Sequence, residues 1–520
     1  MEHRKTAADS IILMICTLAS RLLGILKARA IATVFGATGI ADVINFTFNI
    51  PNNFRKLFAE GALSSAYVPV FTTEIEKEKG GIVSSSALLA RMQGFQLLIS
   101  VPLVVLTWIS RVQIIGFLSD FSDPSHLRLS GELLVYFMVF LGTISFSALY
   151  GGVLQSHRSF FLAAASPLLF SISVIASVYL LSSRFGAYSM AIGVIVGGTL
   201  QASVTFIGLR RLGYRFRFSF DFTDGPFRRV MIAWGPVTIT AVLAIVTQQV
   251  SFYFASTLSE GVVTAFSNAI IIWQAPYGIF YTAIATVFFP AMVGAYHQRD
   301  REQLGFFVSQ GLVYIATFLV PAAIALYILR NETTAILLQS GRFTLSDTLL
   351  TGTMLKWFAI GMPFVAGYGF LQRACYSTGK FSLTVAVGAV LAITDILVTM
   401  IGLKSGMGGQ SLSLANTVAH LGGITMLALI LYRGNVMRIR LRSTILSLAR
   451  LAAANIPLGL LAFAYVRFAD RRWWQDGSTW TNALVLAGLY LIAIGITIAS
   501  YKVANIEFLS VLRKKGGASK

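Results

Sequence analysis

The chain has 520 residues, 56% of them hydrophobic and only 12% charged, with a mean hydropathy of +0.74. A soluble globular domain carries about twice that charged fraction, which excludes a water-soluble enzyme, a disordered chain and a disulfide scaffold. The formal net charge of +20 would suggest nucleic acid on a soluble protein; on a chain this apolar, the placement of the charges carries the information.

Apolar runs between charged or turn-rich breaks predict an all-α polytopic membrane protein with about 14 transmembrane helices, at about 20 residues per crossing. The N-terminal MEHRKTAADS runs into the first, 9–34, without a convincing small-residue cleavage site, so that segment reads as a retained helix. The others follow at 39–70, 86–110, 130–155, 160–183 and 187–209, then 230–256, 262–296, 304–329, 346–376, 381–403, 409–432, 443–466 and 480–501.

With the N-terminus inside, 23 of the 41 Lys and Arg residues fall in cytoplasmic loops and tails and nine in outer loops. That bias predicts an even number of crossings and both termini in the cytoplasm. The most basic inner loop, RRLGYRFRFSFDFTDGPFRR (210–229), separates six spans from eight. Helices two and eight echo each other, each with a mid-helix proline (Pro51, Pro276) and a later one (Pro69, Pro290). This suits two six-helix lobes built as parallel repeats, a transporter arrangement with the site between lobes. The expected organisation is an N-terminal lobe (1–212), a basic linker (213–229), a C-terminal lobe (230–432), two extra helices (443–501) and a basic tail (502–520).

Ionisable groups inside hydrocarbon cost a few kcal/mol each and normally face water or a partner. Helix one holds Arg21, Lys27 and Arg29; helix two holds Asp42, Arg55, Lys56 and Glu60. Gly24, Gly36, Gly39, Pro51 and Gly61 accompany them, and helix breaks at membrane depth are tolerated where backbone lines a cavity. One reading is a hydrated cationic cavity for an anionic headgroup, in which Arg supplies a bidentate fork and Lys a point charge. Lys27, Arg29 and Asp42 also fit snorkelling at the outer interface, and Arg55 with Glu60 also fits a structural ion pair. Adjacent in sequence, Arg55 and Lys56 should face different ways.

Elsewhere Lys356 and Arg373 lie in helix ten and Asp395 in helix eleven, where pairing within the second lobe is the default expectation. His420 reads as a hydrogen-bonded packing histidine. The five histidines lack metal-ligand spacing, and Cys16 and Cys375 lie in apolar stretches that suit neither a disulfide nor a metal cluster. No Walker loop, G-x-S-x-G or paired-carboxylate motif is visible, so no enzyme, metal or cofactor is expected.

The stretch SRLLGILKARAIATVFGATGIADVINFTFNIPNNFRKLFAEGALSSAYVPVF (20–71) resembles the N-terminal signature of the MurJ (MviN) lipid II flippases, within the multidrug/oligosaccharidyl-lipid/polysaccharide exporter superfamily. Its S-R-x-L-G, F-G-A, I-P-N-x-x-R and F-A-E-G-A elements occur in order; WGP (234–236) and GRFT with Asp347 (341–347) are weaker matches. The resemblance implies a cavity between lobes for the pyrophosphate and sugar-peptide headgroup of lipid II, and a groove on the C-terminal helices for its polyprenyl tail. It places cavity arginines at Arg21 and Arg55, an aspartate at Asp42, and Lys27 where the family has a third arginine. It also implies a multi-pass protein of the bacterial cytoplasmic membrane that works beside cell-wall synthesis and division proteins and binds no nucleic acid.

Helix eight departs from that pattern. Where the family has an Asp-Arg pair, this chain has Ile270 and Ile271, and no Lys or Arg occurs between Arg229 and Arg299. The segment after helix ten is also altered, to YSTGKFSLT (376–384). Lys356 or Arg373 is then the candidate source of a second-lobe charge. The leading expectation is a flippase carrying lipid II from inner to outer leaflet by alternating access. Its direction would come from the membrane potential, an ion gradient or downstream consumption, with Asp42, Glu60 and Asp395 as candidate coupling groups. A cation-coupled small-molecule or drug exporter and a non-transporting cell-wall scaffold are the alternatives.

Overall fold

A computed structural model describes residues 2–58, 62–77, 82–434, 437–438, 441–469, 472–475 and 478–506; Glu60 lies outside them. The described residues form seventeen α-helices and no strand. In hydrocarbon only a helix satisfies its own backbone groups within one segment, and this chain has the apolar runs to exploit that.

Helices α1 (Glu2–Phe35), α2 (Gly39–Phe58), α3 (Ala62–Lys77), α4 (Val83–Leu118) and α5 (Pro124–Ser156) are followed by α6 (Phe160–Phe185), α7 (Tyr188–Arg211), α8 (Gly225–Ser256) and α9 (Val262–His297). Then come α10 (Arg301–Ile328), α11 (Arg330–Leu338), α12 (Leu345–Ser377), α13 (Phe381–Lys404), α14 (Gln410–Arg433), α15 (Leu441–Ala454), α16 (Ile456–Phe468) and α17 (Thr479–Val503). Twelve segments are long and apolar enough to cross a bilayer, with α15 and α16 counting as one. Two expected spans are not among the twelve, α1 and the α2–α3 pair. On α2 charge is the reason, with Asp42, Arg55 and Lys56 in twenty residues; α1 carries Arg21, Lys27 and Arg29.

Two local differences from the sequence reading have physical causes. The span expected at 39–70 carries α2 and α3, and residues 59–61 between them lie outside the described residues. The one expected at 443–466 breaks at Asn455, because Pro457 in the first turn of α16 has no N–H to continue α15. Asn455 secures the break by donating to the Leu451 carbonyl at 2.8 Å and to Tyr501 Oη at 3.0 Å. Helix α11 falls where the sequence predicts an outer loop; it is nine residues long and too polar for a hydropathy scan to find.

The chain forms two compact units, Met1–Thr264 with Ser340–Thr344, and Ala265–Gln339 with Leu345–Lys520. In the first, α7 packs on α5 and α6, α1 on α6, α2 on α5, and α3 on α8. Small residues permit this. A Cβ at Gly193 would lie 2.8 Å from Val174 Cα, and one at Gly197 2.9 Å from Phe170 Cα, so α6 and α7 meet backbone to backbone. An aromatic core that includes Tyr67, Phe71, Tyr150, Tyr214 and Phe227 joins α3, α4, α5 and α8 to the linker.

In the second unit, α12 packs on α10 and α14, and α13 on α14. Helices α15 to α17 lie on α10, and Tyr501 donates to the Thr317 carbonyl at 2.9 Å. An apolar cleft of about 120 Å³ opens between α10, α16 and α17, lined by Ile324, Ile328, Leu458, Leu461, Leu489 and Ile492 among others.

Candidate functional site

The charged face of the first unit is built on α2. Asp42, Asn45, Asn49, Asn53 and Lys56 recur every three or four residues, so one stripe of the helix is polar in an otherwise apolar bundle. Pro51 lies inside this helix and removes the N–H that would bond the Thr47 carbonyl. Lys56 Nζ donates to Asn53 Oδ1 at 2.8 Å and to Gln248 Oε1 of α8 at 3.0 Å. Gln248 donates in turn to Asn49 Oδ1 at 3.4 Å. Arg55 points elsewhere, its Nε donating to Asn52 Oδ1 at 3.2 Å. The side-chain amide nitrogens of Asn49 and Asn53 are buried with no acceptor among the described residues.

On α1, Arg21 and Lys27 are half-buried. Lys27 Nζ sits 5.0 Å from the ring centre of Phe48 and 5.3 Å from that of Phe170. Those rings stack on each other at 6.2 Å, and Phe170 stacks on Phe140 at 4.8 Å. A compact ammonium on the negative faces of aromatic rings is held without a counter-charge.

Asp42 does different work. It is 3% exposed, and both its oxygens are occupied. Oδ2 accepts from Gly261 N at 2.6 Å, and Oδ1 from Thr264 N at 2.8 Å and Thr264 Oγ1 at 2.6 Å. These donors open α9, whose first N–H groups have no partner inside the helix and carry its positive dipole end. Glu260 reciprocates, accepting from Gly39 N at the start of α2 at 3.1 Å. Each helix start is thus capped by a carboxylate from the other.

Two glycines make the clasp fit. Gly261 has φ +91, and a Cβ there would lie 2.6 Å from the Ala37 carbonyl oxygen; Gly341 has φ +56, with Thr33 O only 2.3 Å from its Cβ position. Through Gly341 the GRFT segment docks on the end of α1, where Arg342 N donates to Thr33 O at 2.9 Å.

The second unit treats its cations otherwise. Lys356 Nζ lies 4.8 Å from the ring centre of Trp357, and the Arg373 guanidinium 5.5 Å from that of Tyr281. Neither forms an ion pair among the described residues, so the expected pairing gives way to aromatic faces. On α9, Trp273, Tyr277 and Tyr281 stand four residues apart, with ring centres 5.2 and 4.9 Å apart, and Trp273 stacks on Phe358 at 5.6 Å. Ile270 and Ile271 precede this ladder and are half-buried. Asp395 is buried at 2% exposure in α13. His420 donates from Nδ1 to the Asn416 carbonyl at 2.7 Å and packs edge-on to Tyr368. Among the described residues no group of His, Cys, Asp or Glu could hold a metal ion.

Sequence reasoning missed the Asn49–Asn53–Gln248 amides and the Glu74 cluster. The four-residue spacing of Asn45, Asn49 and Asn53 was the available signal for the first; nothing local announced the second. Glu74, buried at the end of α3, accepts from Arg229 Nη2 at 2.6 Å, Lys77 Nζ at 3.0 Å and Ser84 Oγ at 2.6 Å. Burial pulls its carboxyl upward, but the bonds from Ser84, Lys77 and Arg229 outweigh it and leave the group below its ordinary value.

Residues 31–482 match the model of the family described as "Lipid II flippase MurJ". A probable lipid II flippase MurJ of Borreliella burgdorferi is 30% identical over 505 residues, covering 97% of this chain and 98% of the relative. One from Rhizobium meliloti is 26% identical, covering 97% and 95%. Among solved structures, a lipid II flippase MurJ in an inward closed conformation superposes with TM-score 0.78 at 23% identity, covering 96% of this chain and 99% of that one. An inward-facing multidrug resistance MATE family transporter of the MOP superfamily gives TM-score 0.67 at 11% identity, covering 80% and 94%. At these identities the structures speak to the fold.

Proposed function

Because the chain belongs to the MurJ family of lipid II flippases, we propose that it carries lipid II from the inner to the outer leaflet of the bacterial cytoplasmic membrane by alternating access. The family is one of transporters, and the chain is a multi-pass membrane protein. In this reading both termini are cytoplasmic.

One observation carries the proposal: Arg55 and Lys56 of α2 stand among side-chain amides, with buried amide donors on the same helix, and Lys27 of α1 rests on aromatic faces in the same unit. Arg21, Lys27 and Arg55 substitute for water around the diphosphate. Arg55 and Arg21 offer forked donors to phosphate oxygens, and Lys27 a compact charge. The free N–H groups of Asn49 and Asn53 suit oxygen acceptors of the headgroup. In the second unit Arg373 and Lys356, held by aromatic faces rather than carboxylates, keep their charge available to an anion. The cleft beside α16 and α17 suits the polyprenyl tail.

A headgroup bound equally well in both states drives nothing, so the direction of transport comes from an ion gradient, the membrane potential or downstream consumption. Asp395, buried in α13, is the coupling candidate among the described residues. Asp42 acts by fixing the starts of α2 and α9 and does not meet substrate. A cation-coupled exporter would need acids facing a cavity, and the acid of α2 is committed to that cap. Cell-wall synthesis and division proteins are the partners this role implies.

The test is complementation of a flippase-depleted bacterium. The chain should restore growth and prevent lipid II accumulation, whereas Arg21→Ala and Arg55→Ala should not. Growth with both substitutions in place would refute the cationic site.

A further inference from the structure

The segment joining α7 to α8 reads RLGYRFRFSFDFTDG (211–225), in which phenylalanine alternates with Arg215, Arg217, Ser219 and Asp221. Alternation with period two in extended chain sends arginines and phenylalanines to opposite faces. None of the features above uses this pattern.

The strap is fixed along its length. Gly213 turns it with φ +90, and buried Tyr214 Oη bonds Ser85 Oγ and His157 Nε2, both at 2.9 Å. Ser219 N donates to the Ala90 carbonyl of α4 at 3.0 Å, and Arg217 N to Gln93 Oε1 at 3.4 Å. A Cβ at Gly94 would lie 2.2 Å from Ser219 O, so the strap rests directly on the backbone of α4. Its far end is tied by Arg91, which donates to the Asp221 carbonyl at 3.0 Å and pairs with Asp224 at 3.1 Å.

On this anchored backbone Phe216, Phe218 and Phe220 remain 47%, 40% and 58% exposed. Phe222, which continues the row, turns inward against Phe95 and Phe227. Arg210, Arg211, Arg215, Arg217 and Arg228 are exposed and form no ion pair among the described residues. The strap joins the ends of two membrane-crossing helices, which sets it at the level of the lipid headgroups. Rings that enter the acyl boundary beside arginines that reach phosphates are what an interfacial anchor requires.

We propose that residues 210–228 form a docking site for anionic phospholipid headgroups on the bilayer surface at this end of the first unit. The phenylalanines seat the strap at the acyl boundary and the unpaired arginines select negative headgroups. Charge complementarity carries the choice of occupant. Asp221 and Asp224, the acids of the strap, are tied to Arg91 and so do not neutralise the arginines.

The experiment is native mass spectrometry of the full chain released from mixed phosphatidylglycerol and phosphatidylcholine micelles. Wild type should retain phosphatidylglycerol preferentially, and the preference should weaken with salt. Arg215→Gln with Arg217→Gln should reduce that preference on the order of tenfold. Phe216→Ser, Phe218→Ser and Phe220→Ser together should reduce retention of both lipids. Lys380→Gln, remote from the strap in sequence, is the control for charge alone. Thermal unfolding midpoints close to wild type show that the variants fold. A folded arginine variant that keeps the full phosphatidylglycerol preference overturns the proposal and leaves this surface to a protein partner; so does an equal loss from Lys380→Gln.

Discussion

Both units hold half-buried cations in apolar bundles, and they stabilise them by different chemistry. On α2 of the first unit, Arg55 and Lys56 are met by the amides of Asn52, Asn53 and Gln248. On α12 of the second, Lys356 and Arg373 are met by the rings of Trp357 and Tyr281. An amide network fixes direction and distance, whereas a ring face holds a cation through its charge with little demand on direction. Precise geometry is therefore built into the first unit. The second holds its cations on aromatic faces, and its helix α9 carries Ile270 and Ile271 and no Lys or Arg.

The largest effect should come from breaking the first side of that comparison. Arg55→Ala removes a partly buried forked donor, a loss of about 2–5 kcal/mol if it binds phosphate directly. Complementation should fail and lipid II should accumulate, while Arg55→Lys should retain part of the function because charge remains and the fork is lost. Equal activity of the Ala and Lys variants would show that Arg55 does not touch the headgroup.

Asp42→Ala should come next, and should act on stability. Three donors lose their acceptor at the start of α9. A charged cap of this kind is worth about 1–3 kcal/mol. The thermal midpoint should fall, with Asp42→Asn intermediate since one acceptor oxygen survives. A substrate-binding role would instead leave the midpoint in place and abolish flipping, so the two readings part on a single melt.

How much of this was legible beforehand follows from which interactions are local. The apolar runs located the spans because each crossing must be self-sufficient in hydrogen bonds, and the charge of α1 and α2 marked them as exceptional. The role of Asp42 was hidden because its partners, Gly261 and Thr264, lie more than two hundred residues away. The aromatic support of Arg373 was hidden for a related reason: aromatic residues in an apolar span read as ordinary core. The break at Asn455 shows the converse limit, since hydropathy averages across a helix interruption that a single proline can make.

On the second side of the comparison, Tyr281→Leu removes the ring beneath Arg373, a contact worth about 0.5–2 kcal/mol. Flipping should fall by a fewfold, and Arg373→Gln should fall at least as far. Placing an Asp-Arg pair on α9 with Ile270→Asp and Ile271→Arg should then rescue Arg373→Gln in part. Full activity of Arg373→Gln in the parent chain would remove the second unit from charge recognition.

The smallest effect concerns pH, and it belongs to the first unit alone. Glu74 is held below its ordinary value of 4.5 by Ser84, Lys77 and Arg229, against the upward pull of burial. An acid depressed on folding contributes stability that is complete above its unfolded value and is lost as pH falls through the lower folded one. The contribution is modest, because Arg229 is half exposed and such pairs give about 1 kcal/mol or less. Glu74→Gln should therefore lower the melting temperature slightly at neutral pH, and its melting curve should converge with that of wild type below pH 4.5. The aromatic contacts of Arg373 and Lys356 contain no group that titrates in that range, so Tyr281→Leu should shift the midpoint by the same amount at both pH values. A Glu74→Gln difference that persists in acid would mean that the glutamate acts there by packing rather than by charge.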